Sequence, residues 1–98
     1  MRIDVDQGEL AAFARRHRIR RLSLFGSVLR DDFGPDSDVD VLVAFEPGAR
    51  VGLITLSAME IELGHLLGRR VELHTEAGLH PSFRDEVMAT REVQYEQA

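Results

Sequence analysis

The sequence predicts a small mixed α/β domain in which helices flank a sheet. Three observations lead to this fold class: several stretches carry apolar residues at helical spacing, others alternate apolar and polar residues, and turn residues separate the two kinds. The 98 residues fit a single domain spanning 1–98, and 44% hydrophobic with 30% charged residues is a globular composition. The chain is therefore expected to fold around one core.

Helical spacing predicts three longer helices, at about residues 7–18, 53–67 and 81–89. Asp6 and Glu9 resemble a capping box at the start of the first helix. Gly68 follows the second helix at the position that glycine prefers beyond a helix end. Pro81 suits the first turn of the third helix, because a proline there gives up no helical hydrogen bond.

Alternating residues predict strands at 22–25, 38–45 and 69–75, and a brief terminal strand around Val93 and Tyr95. A short helix is predicted from Gly26 to about Asp32, between the first two strands. The predicted order is helix, strand, short helix, strand, helix, strand, helix. The order of the strands within the sheet stays open.

Charge and composition exclude several classes of protein. Acidic residues number 17 against 12 arginines, a net charge of -5, so direct nucleic-acid binding through a basic surface is not expected. The absence of cysteine excludes disulfides and thiolate zinc sites. Neither a membrane span nor a secretory leader is found, and a cytoplasmic protein is expected. Five arginines between Arg15 and Arg21 form either a solvated helix end or a patch for an acidic partner or RNA.

The clearest chemical feature is the pair Asp38 and Asp40 on the second predicted strand. Residues two apart on a strand share a face, so these carboxylates would lie about 6 to 7 Å apart at the backbone. Neighbouring carboxylates repel unless a cation neutralises them, and magnesium takes oxygen ligands of this kind. A two-metal site is one interpretation, and a solvated strand face is the other.

Gly26 and Ser27 precede this pair at the start of the predicted short helix. Glycine allows the backbone to approach a ligand closely, and helix-terminal amides favour phosphate, to which the serine hydroxyl can add a donor. A plain helix cap is the alternative. Arg30 could reach the same phosphate, or could pair with Asp31 or Asp32.

Glu72 lies on the polar face of the third predicted strand. It could meet the aspartates if that strand pairs beside theirs, and could then bind metal or deprotonate an attacking hydroxyl. An ordinary polar-face residue is an equal alternative. A structural or surface role is expected for His65 and His74, since the sequence shows no partner at metal-ligand spacing.

These residues resemble a known family. Gly26-Ser27, ten intervening residues and then Asp38-Val39-Asp40 match the signature of the DNA polymerase β-like nucleotidyltransferases. The chain is similar in particular to the minimal nucleotidyltransferases, through its length and the later runs GRRVELHT and LHP. The resemblance extends from the first predicted strand to the final helix.

The resemblance implies transfer of AMP from ATP with two magnesium ions. Gly26 and Ser27 would contact phosphate, and Asp38 and Asp40 would bind the metal. Glu72 stands where the family usually has aspartate. The resemblance also implies a partner, a HEPN-domain RNase toxin, whose tyrosine would accept the AMP while this chain acts as the antitoxin.

Two other functions compete with this one. The chain could be an antitoxin that neutralises its toxin by binding alone, as the small size and Glu72 suggest. It could also belong with the nucleotidyltransferases that modify aminoglycosides, although those normally carry additional substrate-binding sequence. The oligomeric state is open, and a homo-oligomer is compatible with the sequence.

Overall fold

A computed structural model describes residues 5–30 and 33–97 of the chain. Its elements are α1 (Gln7–Arg16), β1 (Ile19–Phe25), a 3-10 helix (Gly26–Leu29), β2 (Val39–Phe45), α2 (Leu53–Leu67), β3 (Val71–Thr75), α3 (Pro81–Thr90) and β4 (Glu92–Glu96). The predicted element order and the predicted mixed fold class are confirmed. Within these ranges, no helix combines the length and the apolar character needed to cross a membrane.

The four strands form one mixed sheet in the order β3-β2-β1-β4. β1 is antiparallel to both β2 and β4, whereas β2 and β3 are parallel. Parallel neighbours need a crossover connection, and α2 supplies it. β3 and β4 therefore form the two edges, and the acidic strand β2 lies between β1 and β3.

The sheet separates two apolar clusters. Alternate β2 residues such as Val39, Val41 and Val43 are fully buried in the larger cluster, which includes α1 and α2 residues. Leu42 points the opposite way and packs in a smaller cluster with residues from α3 such as Val87. Near the starts of β2 and β3, Asp40 is half-buried and Glu72 is exposed.

Helix α1 begins as predicted but ends earlier. The Asp6 carboxylate accepts the Glu9 backbone N–H at 3.0 Å, which caps the first turn. The helix stops at Arg16, because Arg18 adopts a positive φ of 58° that turns the chain into β1. β1 accordingly starts at Ile19, which is completely buried, three residues before the predicted start.

The other boundaries follow local signals. Gly68 closes α2 with a φ of 69°, and Pro81 is the first residue of α3, as predicted. β3 begins two residues later than predicted, since the Arg69 N–H bonds the Gly64 carbonyl at 3.1 Å to complete the helix end. The terminal strand β4 is confirmed and pairs with β1.

The predicted helix after β1 is a single 3-10 turn over Gly26–Leu29. It ends because Arg30 is extended, with a φ of -114° and a ψ of 162°. The remaining predicted helical positions, Asp31 and Asp32, lie outside the described residues. The segment thus offers one tight turn of backbone amides rather than a full helix end.

The arginine cluster does not form one continuous patch. Arg16 pairs with Glu62 at 2.5 Å, and Arg18 with Glu46 at 3.5 Å. Arg21 contacts two glutamates, at 3.2 and 2.9 Å. Three of the five arginines therefore face acids of this chain, which weakens the interpretation as a surface for an acidic partner.

Candidate active site

The pairing of β2 with β3 brings Asp40 and Glu72 together. These two residues are partners in the parallel register, and Leu42 and His74 are the next partners on the same face. Neighbouring strands lie about 4.8 Å apart, and paired residues project to the same face, so the two carboxylates lie side by side on one face of the sheet. The condition that the sequence left open for Glu72 is met by this strand order.

Asp40 has an unusual electrostatic environment. Its side chain is only 23% exposed. Burial, followed by a hydrogen bond and repulsion from Glu72, raises the pKa of Asp40 from 3.8 to about 6, with a smaller contribution from Asp38 and an opposing one from His74. Two carboxylates in contact share a proton or a cation, and a divalent cation would relieve the repulsion.

His74 completes a set of three potential metal ligands. One ligand atom each from Asp40, Glu72 and His74 lies within 4.8 Å of the others. Opposite ligands of a small divalent ion are about 4.2 Å apart, so small side-chain adjustments would let the three share one ion. The sequence showed His74 two residues after Glu72, but its partner became visible only through the β2–β3 register.

Asp38 lies just before β2, which begins one residue later than predicted, so it falls outside the strand that carries Asp40. Its Oδ1 is 3.8 Å from Nη1 of Arg70, a side chain that is 82% exposed. Asp38 is not a member of the three-ligand cluster found in the described ranges 5–30 and 33–97, although its charge acts on Asp40. The predicted aspartate pair is thus extended by Glu72 and His74, with Asp38 at the outer edge.

Gly26 touches the acidic cluster directly. Its φ is 77°, and a Cβ placed on it would lie 2.3 Å from the Asp40 Oδ2. The cause is the sheet register, because the preceding Phe25 is the β1 partner of Asp40. The two parts of the sequence motif therefore meet in space, at a position where only glycine fits.

Ser27 and Arg30 occupy the two ends of the 3-10 turn that follows. The Ser27 carbonyl accepts the Arg30 N–H at 2.9 Å, and Ser27 is half-buried beside Gly26. Arg30 is exposed at the far end of the turn. Contacts of Ser27 and Arg30 with phosphate stay predictions.

Arg69 is a contributor that the sequence did not reveal. Its Nη2 donates to the Gly34 carbonyl and, at 3.1 Å, to the Ser37 carbonyl. Its guanidinium also lies 4.4 Å from the centre of the Phe33 ring. These contacts attach the loop that precedes Asp38 to the junction between α2 and β3. No periodicity or motif distinguishes this arginine from its neighbours.

The profile of the nucleotidyltransferase domain family matches residues 9–93. The chain belongs to that family. It is 38% identical over 80 residues to the protein adenylyltransferase MntA of Thermococcus cleftensis, an alignment that covers 82% of this chain and 77% of the relative. Because the match includes both the Gly-Ser turn and the acidic strands, the geometry described above lies within the family's domain.

Solved structures share the fold at low sequence identity. A toxin–antitoxin structure with AMP-PNP superposes with a TM-score of 0.77 and 16% identity, covering 95% of this chain and 75% of the other. A chain from the complex of a tri-AMPylated Shewanella oneidensis HEPN toxin with its MNT antitoxin gives a TM-score of 0.69 and 16% identity, covering 93% and 70%. These likenesses establish the architecture.

Proposed function

We propose that this chain is a metal-dependent antitoxin that transfers AMP from ATP to a tyrosine hydroxyl of a HEPN-domain toxin. The observation that carries the proposal is the close approach of the Gly26 backbone to Asp40, whose partner across the strands is Glu72. A turn that could bind phosphate and a carboxylate pair that could bind a cation therefore meet at one point of the sheet. Such an arrangement suits a nucleoside triphosphate with its metal.

The metal would be held chiefly by Asp40 and Glu72, with Asp38 at the edge of the site. The donor set fits, because burial and then the neighbouring Glu72 raise the pKa of Asp40, and a bound cation would offset both. When bound, magnesium neutralises phosphate charge and makes a hydroxyl more acidic. We propose two ions, as the resemblance to the polymerase β-like enzymes implies.

The Gly26–Ser27 turn would orient the triphosphate. The backbone amides and the Ser27 hydroxyl are donors, and the absence of a side chain at Gly26 keeps Asp40 within reach of the nucleotide. Arg30, at the exposed end of the turn, would add positive charge near the phosphates. The turn therefore aligns the nucleotide with the acidic strands.

The transfer itself requires one bond to form and another to break. The tyrosine oxygen would bond to the α-phosphorus while the bond from that phosphorus to the bridging oxygen breaks, releasing pyrophosphate. Glu72 would take the hydroxyl proton, since it is exposed and adjoins Asp40. An exposed base is accessible to a residue on another protein.

The acceptor is assigned to a partner because of the relatives. One structural neighbour is an MNT antitoxin in complex with an AMPylated HEPN toxin, and the relative from Thermococcus is named a protein adenylyltransferase. The acidic face of this chain is open at the starts of β2 and β3. A tyrosine on a docked protein could therefore approach it from solvent.

The proposal is tested by incubating the full chain with labelled ATP, magnesium and a HEPN-domain protein that forms a complex with it. We expect label on that protein and a mass increase of one AMP, lost when its acceptor tyrosine is changed to phenylalanine. The matched control is the Asp38→Ala, Asp40→Ala double variant, with complex formation measured in parallel. Equal labelling by the intact chain and the double variant would contradict the proposal.

Neutralisation by binding alone is the second candidate function. It is favoured by Glu72 in place of the family's usual aspartate and by the contact of Asp38 with Arg70. If the double variant binds the toxin and still suppresses its toxicity, binding suffices. If it binds but fails to suppress toxicity, catalysis is required.

A further inference from the structure

The position of His74 carries an inference about which metal the site takes. His74 follows Glu72 by two residues on β3 and therefore projects to the same face. Its β2 partner is Leu42, so Asp40 is its diagonal neighbour. Its Nε2 lies 3.8 Å from the Asp40 Oδ1. That separation is too long for a hydrogen bond but suits two ligands of one ion.

The donor atoms differ in their metal preference. Magnesium binds oxygen ligands and gives up its water reluctantly, whereas imidazole nitrogen is a common ligand of first-row transition metals. A site with two carboxylates and one imidazole should thus discriminate between these two kinds of ion. The ligand atoms of Asp40, Glu72 and His74 are already within 4.8 Å of one another.

We propose that Asp40, Glu72 and His74 bind a divalent first-row transition-metal ion in preference to magnesium, with the His74 imidazole as a direct ligand. The inference shares with the proposed function only a cation between Asp40 and Glu72. It differs in the identity of the ion and in the role of the imidazole.

The surroundings of His74 favour this role over that of a surface residue. Its side chain is 40% exposed, which leaves a nitrogen accessible to an ion from solvent. The ring packs edge-on against Phe25, with 5.3 Å between the ring centres and 70° between their planes. Phe25 is the β1 partner of Asp40, so the contact holds the imidazole on the side of the carboxylates.

Manganese is a suitable probe because its binding and its ligands can both be measured by electron paramagnetic resonance. The full chain would be titrated with Mn²⁺, and Mg²⁺ would then be added as a competitor. Pulsed measurement of nitrogen modulation reports directly whether an imidazole coordinates the bound ion. His74→Gln is the test variant, and His65→Gln, at an exposed position on α2, is the matched control.

We expect nitrogen modulation in the intact chain and in His65→Gln, and its loss in His74→Gln. Manganese affinity should fall by at least about tenfold in His74→Gln, because disturbing even an outer partner of a metal ligand costs that much. Magnesium affinity should change little. The preference of the intact chain for manganese over magnesium should be larger than that of His74→Gln by the same factor of about ten.

The inference is overturned if bound manganese shows no nitrogen modulation, or if His74→Gln weakens both ions equally. These outcomes can be separated from failure of the proposed function. A chain that transfers AMP with magnesium but shows no nitrogen coordination keeps the function and loses this inference. A chain that shows nitrogen coordination but transfers no AMP keeps this inference and loses the proposed function.

Discussion

Replacing Asp40 with asparagine should stabilise the metal-free protein at neutral pH. The folded state raises the pKa of Asp40 from 3.8 to about 6, so it binds the proton more tightly than the unfolded chain does. The stability contributed by the protonated group is fully present below about pH 4 and is lost as the pH rises through about 6. Asparagine cannot ionise, so the variant does not lose this stability as the pH rises.

The size of the effect follows from the two pKa values. At about 1.36 kcal/mol per pH unit, a rise from 3.8 to about 6 corresponds to a ceiling of about 3 kcal/mol. Solvent reaches part of the side chain, and Glu72 shares the proton, so we expect about 1 to 2 kcal/mol. In a domain of this size, each kcal/mol raises Tm by about 4 to 8 °C.

The assay is urea unfolding of the intact chain and Asp40→Asn between pH 4 and pH 8, with EDTA present. The advantage of the variant should be largest near pH 8 and should shrink towards pH 4. Asp85→Asn, on the exposed side of α3, is the matched control and should show no such trend. Excess magnesium should reduce or reverse the advantage, because only the intact chain keeps the full ligand set. A variant that is less stable at pH 8 in EDTA, or a difference independent of pH, would refute the reasoning.

Two further substitutions test how the site is built. Gly26→Ala should destabilise the chain by at least about 1 kcal/mol more than Gly48→Ala, because both glycines have positive φ but only the Cβ at Gly26 meets Asp40. Equal losses in urea unfolding would show that the contact is unimportant. Arg69→Lys should cost about 1 to 2 kcal/mol, since lysine lacks the planar guanidinium that lies over the Phe33 ring while its Nη2 donates to two loop carbonyls. Arg70→Lys, at an exposed position, should be nearly neutral in the same unfolding measurement. A comparable loss there would contradict a specific stabilising role for the Arg69 contacts with the loop.

Much of the fold was predictable because its signals are local. The alternation in residues 39–45 identifies β2, Gly68 marks the end of α2, and Pro81 marks the start of α3. Each signal depends on dihedral preferences or on side-chain direction within a few residues. The least accurate boundary, the start of β1, lies beside Arg18, whose left-handed conformation nothing in its residue type required.

The features of the candidate site likewise fall into two groups, those that local sequence determines and those that depend on the tertiary structure. The sequence by itself determined the motif spacing and the need for glycine at a close backbone approach. Only the tertiary structure decided that Glu72 and His74 face Asp40, that Asp38 turns towards Arg70, and that Arg69 holds the preceding loop. These contacts depend on which strand lies beside β2. That choice is made by the packing of α2 across the sheet, where Glu60 also accepts the Leu73 N–H at 2.7 Å, and such long-range packing leaves no local signal in the sequence.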